Sequence, residues 1–382
     1  APSNLVARLC SPVSDPSQYR PLRILLACDP TLPVPPTGYG GIERIVDSLV
    51  RNYRARGHAV GLIAGAGSTC KSDHNYTWPR ARMPDFAGTL RNAAALFAAA
   101  RSFRPDVVHS FARLAYLVPL LSTRFAKVMS YQRHTGGRQI TVAASLGRRS
   151  LQFTGCSEFI CRLGRRAGGT WTAIPNFVEP AKFTFVPQVP ADAPLVFLSR
   201  IESIKGAALA IAVARAAGRK LVLAGNRATS GPEREFWDRQ IAPEIGRNAI
   251  EWVGEVDDAQ KDSLLGKAAG LIVPIQWEEP FGIVFAEALA CGTPIITCAR
   301  GAAPEIVETG RTGFFIQDEV DGVTAVRRLG ELNRRACREA AETRFSVGVC
   351  AAQYLDLFAQ MTGTGTATHP SVLHSTESTA HD

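Results

Sequence analysis

No stretch of this 382-residue chain approaches the run of about 18 to 20 apolar residues that a membrane-spanning helix needs. Residues 1–20 lack the apolar core of a secretory signal, so a cytosolic protein is expected. The cysteines are nine, an odd number, and contain no C-x2-C pair, which argues against a zinc site and for buried or free thiols in a reducing compartment. The seven histidines show no H-E-x-x-H spacing, and the chain has no Asp-x-Asp, so no metal and no cofactor are expected. No G-x-G-x-x-G follows the first apolar strand: Cys28-Asp-Pro-Thr-Leu-Pro is a poor pyrophosphate turn, which sets aside a dinucleotide-dependent dehydrogenase. The basic residues are dispersed and not interleaved with aromatics, so nucleic acid is not an expected partner.

What is present is an apolar fraction of 46% with 20% charged residues, a globular composition long enough for about two domains. The net charge of +9 hides an asymmetry: residues 1–185 hold 24 Lys and Arg against 9 Asp and Glu, a net +15, and the remainder is net −6. Clustered cations attract phosphate-rich surfaces, so the first half is expected to meet an anionic or lipid-linked partner, or an anionic membrane surface as a peripheral contact. The plainer reading is an arginine-rich solvated surface.

Short apolar runs alternate with amphipathic stretches. Residues 23–27 read as a strand, followed by a Pro- and Gly-rich loop (30–41) and a helix (42–56). Strands at 60–64, 106–109 and 127–131 follow, with a helix at 91–103 between them. The pattern restarts with a strand at 195–199, a helix at 207–217 and strands at 220–224, 250–253, 271–275 and 294–297. Such alternation implies two doubly wound, Rossmann-like parallel-sheet domains, with a ligand in the cleft outside the carboxyl ends of the strands. The expected divisions are 1–185 as a first domain and 186–345 as a second, with a hinge near 175–194. Residues 362–382, rich in Ser, Thr and Gly, are expected to be disordered.

The most informative segment is Glu279-Pro-Phe-Gly-Ile-Val-Phe-Ala-Glu287, two carboxylates separated by seven residues around a helix read at 281–290. The first-turn amides of Phe281, Gly282, Ile283 and Val284 then face a bound anion such as a diphosphate. Glu287, one turn past Ile283, is placed to accept hydrogen bonds from two ribose hydroxyls, which leaves Glu279 for the sugar. Dipole complementation by Glu279 and a solvated Glu287 is the plain alternative, weakened by the apolar residues around Glu287, since a carboxylate there needs a partner.

This segment resembles the E-x7-E motif of the retaining glycosyltransferase family 4, which has the GT-B fold, and other segments match in order. Gly40-Gly41-Ile-Glu43 with Gly57-His58-Ala-Val60 resembles the family's opening loop and strand entry, and Ile174-Pro-Asn176 with Phe183 resembles the passage into the second domain. Ser199-Arg200-Ile-Glu-Ser-Ile-Lys205-Gly206 resembles the Arg and Lys-Gly donor motif, and Gly254-Glu-Val256-Asp-Asp258-Ala-Gln-Lys261 the stretch against the nucleobase. The likeness spans roughly residues 22–360.

The resemblance implies a retaining transfer of a hexose-type sugar from a UDP- or GDP-sugar to a hydroxyl acceptor without a metal. Arg200 and Lys205 would neutralise the departing diphosphate, and Glu279 would orient sugar hydroxyls and not act as a nucleophile. Val256, Asp258 and Lys261 would line the base pocket, with Gly225 at the end of its strand also on the donor side. Gly40 and Gly41 would approach a phosphate or acceptor group, while Glu43 is read as capping its helix. The last helix, 346–361, would cross back onto the first domain. Many members carry a His directly after the strand matching 127–131; here Gln132 stands there and His134 follows two residues later, so either is a candidate sugar contact. Ser157 resembles a position near the cleft, and His109 is as much a packing residue as a sugar contact. A sugar-nucleotide epimerase, a phosphorylase, or a binding protein that performs no transfer are the competing readings.

Overall fold

The alternation of strands and helices resolves into two separate parallel sheets. The computed structural model describes residues 20–38, 40–80, 85–134 and 137–364. Most of the tail expected to be disordered, 365–382, lies outside them, as does the greater part of residues 1–20.

The first sheet comprises β1 (Arg23–Ala27), β2 (Ala59–Ala64), β3 (His74–Thr77), β4 (Val107–Ser110), β5 (Ala126–Tyr131), β6 (Leu151–Gly155) and β7 (Trp171–Ala173), in the order β3-β2-β1-β4-β5-β6-β7. The second comprises β8 (Leu195–Leu198), β9 (Leu221–Ala224), β10 (Ile250–Trp252), β11 (Gly270–Ile272), β12 (Ile295–Thr297) and β13 (Gly313–Phe315), in the order β10-β9-β8-β11-β12-β13. Every strand pair is parallel. The longer helices are α1 (Gly41–Ala55), α2 (Phe86–Phe103), α3 (Arg138–Gly147), α4 (Glu158–Arg165), α5 (Ala207–Ala216), α6 (Asp258–Lys267), α7 (Ile283–Cys291), α8 (Glu319–Arg328), α9 (Arg334–Arg344) and α10 (Val347–Thr362).

Parallel strands buried on both faces read as continuous apolar runs. In β1, Ile24 and Leu26 enter one core with Val46, Leu49 and Tyr53 of α1, while Leu25 and Ala27 enter another with Leu96, Ala100 and Phe103 of α2. Helix α10 supplies Tyr354, Leu355 and Phe358 to the first of these cores. Its chain arrives there through a pairing of the two segments that pass between the sheets: the Val178 amide donates to the Phe345 carbonyl at 2.8 Å, and Val347 donates to Val178 at 2.9 Å.

The helix read at 91–103 begins at Phe86, where the Asp85 carboxylate accepts the Gly88 amide at 2.7 Å. Its first turn escapes a periodicity argument because Phe86 and Leu90 point outward, at 79% and 54% exposure. Each sheet reverses its strand order once, between β1 and β4 and between β8 and β11, and these reversals open crevices at the strand ends.

Candidate active site

The second crevice brings the motif residues together. After β8 the chain makes a short turn, Ser203–Lys205, and enters α5 at Gly206. A Cβ on Gly206 would stand 2.0 Å from the Pro274 carbonyl oxygen, so the Lys205 turn lies directly on the segment leaving β11. Lys205 Nζ therefore donates to Glu279 Oε2 at 2.6 Å, and Trp277 Nε1 donates to the same oxygen at 2.9 Å. Lys205 Nζ also sits 4.8 Å from the centre of the Trp277 ring. Both side chains of the ion pair are only 12% exposed, so solvent screens it little. Arg200 is not drawn into this cluster: its guanidinium bonds to Glu202 at 2.5 Å and is 47% exposed.

The backbone at Glu279 is fixed from β12. The Ala302 amide donates to the Glu279 carbonyl at 2.8 Å, and a Cβ on Gly301, which has φ +57°, would stand 2.3 Å from that same oxygen. Only glycine satisfies both the left-handed backbone and the close approach. Helix α7 starts at Ile283 instead of Phe281, because Gly282 is left-handed at φ 82° and Phe281 turns into the core at 3% exposure, edge-on to Phe345 at 5.8 Å. Phe281 thus contributes at most its backbone to the crevice, while the amides of Ile283 and Val284 open the helix.

Glu287 has a protein partner, Lys261, whose Nζ donates to it at 2.5 Å. Lys261 lies 3.4 Å from Asp258, which in turn meets Arg44 of α1 at 2.9 Å, so four charges link the two sheets' domains. Burial alone would lower the Lys261 ammonium, but Glu287 and Asp258 outweigh it and hold it above its ordinary value. Partial burial works against Asp258, yet Lys261 and Arg44 keep its carboxyl below the usual range. Val256 lies half-buried just after β10. Gly225 is explained by packing: its Cβ position is 1.9 Å from the Ser199 carbonyl oxygen, and its own carbonyl accepts Trp252 Nε1 at 3.0 Å.

From the first domain, the Gly40 and Gly41 turn reaches α7, with the Cβ position of Gly41 3.4 Å from Ile283. Glu43 lies in the first turn of α1 at 6% exposure, and burial raises its carboxyl above the ordinary value. His134 Nε2 is 2.8 Å from the Glu278 carbonyl, and its ring stacks on Trp277 at 5.8 Å and 29°. His134 thus joins the Glu279 cluster; Gln132 is half-buried, and its Oε1 has no hydrogen-bond partner among the described residues.

Of the two roles open to His109, the structure places it in packing. It is fully buried between Phe111 (4.5 Å) and Tyr354 (4.6 Å), bonded to Ser130 Oγ at 2.7 Å, and burial pulls its pKa down to about 3. Ser157 is 3% exposed and donates to the Pro280 carbonyl at 2.7 Å while capping α4. Sequence reasoning passed over Trp277, Arg44 and Gly301; only the pairing of strand ends in space gives them a part.

Two parallel doubly wound sheets with an ion pair and a helix N-terminus at the second crevice define the GT-B architecture. Residues 39–182 match the model of Glycosyltransferase Family 4, and residues 185–343 that of Glycosyl transferases group 1. The chain belongs to these glycosyltransferases and is a glycosyltransferase enzyme. It is 28% identical to a glycogen synthase of Mycobacterium tuberculosis, over 81% of this chain and 87% of that protein. It is 25% identical to the phosphatidyl-myo-inositol mannosyltransferase of Mycolicibacterium smegmatis, over 90% and 95% of the two chains. Among solved structures, Anabaena HepE in complex with UDP and glucose superposes with a TM-score of 0.66 at 19% identity, over 89% of this chain and all of that one, a likeness of fold.

Proposed function

We propose that this glycosyltransferase moves a hexose-type sugar from a UDP- or GDP-sugar to a hydroxyl acceptor with retention and without a metal. The observation that carries the reading is the Lys205–Glu279 pair at 2.6 Å, beside the N-terminus of α7 at the strand reversal. When the anomeric bond breaks, charge builds on the departing diphosphate. A fixed cation and helix amides aimed at that charge supply the neutralisation that a divalent ion supplies elsewhere. An incoming diphosphate competes with Glu279 for Lys205, and Glu279, released from the ammonium, turns to the sugar hydroxyls. Arg200, 47% exposed, exchanges Glu202 for the same phosphates. Glu287, steadied by Lys261, takes the ribose hydroxyls. Retention rests on the family pattern: reaction on one face of the sugar, with the leaving phosphate oxygen helping to take the acceptor proton.

The acceptor is proposed to be anionic or lipid-linked, reached through the basic first domain with its net charge of +15 over residues 1–185. Among the described residues no helix is long and apolar enough to cross a membrane. A peripheral contact is supported instead by Phe86 (79% exposed) and Leu90 on α2 and Val142 and Leu146 on α3, on the side of the first sheet that carries Arg138, Arg148 and Arg149. The test of the function is release of free nucleotide from UDP-glucose and GDP-mannose in chelator, with and without candidate acceptors. Acceptor-dependent release from one donor is expected, and its absence from both donors with every acceptor would reject the reading.

A further inference from the structure

Besides the His134–Glu278 bond, the first domain holds the Glu279 turn through a buried contact. At the end of β6, Ser157 Oγ donates to the Pro280 carbonyl at 2.7 Å, and the Cys156 thiol approaches the same oxygen at 3.4 Å. Ser157 and Cys156 are 3% and 0% exposed. Immediately beside them, the second domain returns the contact. The half-buried Glu305, in the short helix Ala303–Ile306, accepts the amides of Glu158 and Phe159, each at 2.7 Å, one on either carboxylate oxygen. A carboxylate receiving two amides at a helix N-terminus is a strong, geometrically specific clasp, since it meets both the unpaired donors and the helix dipole. Here the helix, α4, and the carboxylate belong to different domains.

Glu305 is tied in turn to the Glu279 turn. Residues 301–302, just before its helix, hold the Glu279 carbonyl through the Ala302 amide and lie against its backbone at Gly301. The Glu305 carbonyl accepts Arg344 from α9, which also pairs with Glu308 at 2.5 Å, so the carboxylate's own mount is fixed. The arrangement is a closed ring across the domain boundary: Ser157 to Pro280, Glu279 to Ala302, Glu305 to α4, and α4 back to Ser157.

We infer that Glu305 is a positioning residue: by capping α4 across the domain boundary, it fixes the Glu279 turn relative to the acceptor-side domain. The Glu279 carboxylate and the α7 amides thereby keep one register with the surface from which an acceptor hydroxyl must attack. The inference rests on the proposed sugar-transfer role of Glu279, but the clasp itself is mechanical and can be read separately. A displacement of about 1 Å at a reacting group costs about 100-fold in rate, which sets the expected scale.

The experiment compares the full chain with Glu305→Ala, Glu305→Gln and Ser157→Ala by amide hydrogen exchange and steady-state kinetics. In Glu305→Ala, exchange is expected to rise about tenfold or more at the hydrogen-bonded amides of Phe285 and Ala302, in the domain that does not contain α4, while kcat falls by about 100-fold and KM for the donor stays within about threefold. Glu305→Gln keeps one acceptor oxygen and is expected to recover part of both effects, so the comparison survives if the alanine variant folds poorly. Unchanged exchange at the Phe285 and Ala302 amides in a folded Glu305→Gln or Glu305→Ala variant overturns the clasp, and so does a loss confined to melting temperature with kcat intact. If the parent protein itself releases no nucleotide from any donor, the sugar-transfer reading has failed, and the exchange arm still decides the clasp.

Discussion

Lys205 and Glu279, 74 positions apart, share a hydrogen bond of 2.6 Å because each follows one of the two strands, β8 and β11, that flank the reversal of the second sheet. The pair is a consequence of topology, and it places a fixed cation and a carboxylate where the fold leaves a crevice.

If Lys205 carries the charge of the departing diphosphate, Lys205→Ala lowers kcat by about 100-fold or more, the scale of one lost charge-stabilising donor. Arg200→Ala acts in the same direction. Removing Lys205 also leaves Glu279, at 12% exposure, without its cation and still bonded to Trp277, so a thermal melt accompanies the assay and a few degrees of destabilisation are expected. Near-parental turnover in the folded variants removes these cations from the mechanism.

Glu287→Gln is expected to weaken donor affinity by about 10- to 100-fold, the range for hydrogen bonds made to a charged group, with a smaller effect on kcat. Lys261→Met should produce part of the same loss, because the Lys261 ammonium at 2.5 Å is what steadies the Glu287 carboxylate. Titration calorimetry with the nucleoside diphosphate alone checks both, and unchanged affinity in Glu287→Gln would take the ribose role from it.

The fold was legible in the sequence where apolar runs are continuous. The strand at 23–27 and the helix opening at Ala207 stand where the periodicity places them, and the strand read at 195–199 ends one residue earlier, at Leu198. Strand β3, His74–Thr77, was not legible, since a polar edge strand carries no such run. At the site, Glu279 and Glu287 stand out by their spacing and Lys205 by the family resemblance, but their partners do not. That Lys261 serves Glu287, that His134 stacks on Trp277, and that Glu305 caps a helix of the other domain all depend on contacts between segments far apart in the chain. His109 shows the converse: it ends the strand read at 106–109 as a site residue would, yet α10, far later in the chain, buries it between Phe111 and Tyr354.

That burial has a pH signature. The His109 pKa falls from 6.5 to about 3 on folding, because burial disfavours the imidazolium. The unfolded chain therefore binds the proton more readily, so this residue contributes stability above the unfolded pKa that is lost as pH falls towards 3. His109→Gln is expected to flatten the decline of melting temperature between pH 6.5 and the acid limit of the measurement. An identical decline in variant and parent would contradict it.

Binding to vesicles tests the basic first domain. Vesicles containing anionic lipid are expected to sediment the protein at low salt, with binding falling steeply as ionic strength approaches about 0.5 M. Phe86→Ser with Leu146→Ser should weaken it further. No sedimentation at low salt would restrict the positive charge to acceptor recognition.

In the proposed function the Lys205–Glu279 crevice is a nucleotide site that works without metal. Its most direct test is calorimetric titration of UDP, GDP, ADP and TDP into the parent protein and Lys205→Ala, in chelator. One nucleoside diphosphate is predicted to bind the parent selectively and to lose about tenfold or more in affinity in the variant, on the scale of a charge-assisted hydrogen bond. Binding to neither protein, or equal binding to both, would contradict it.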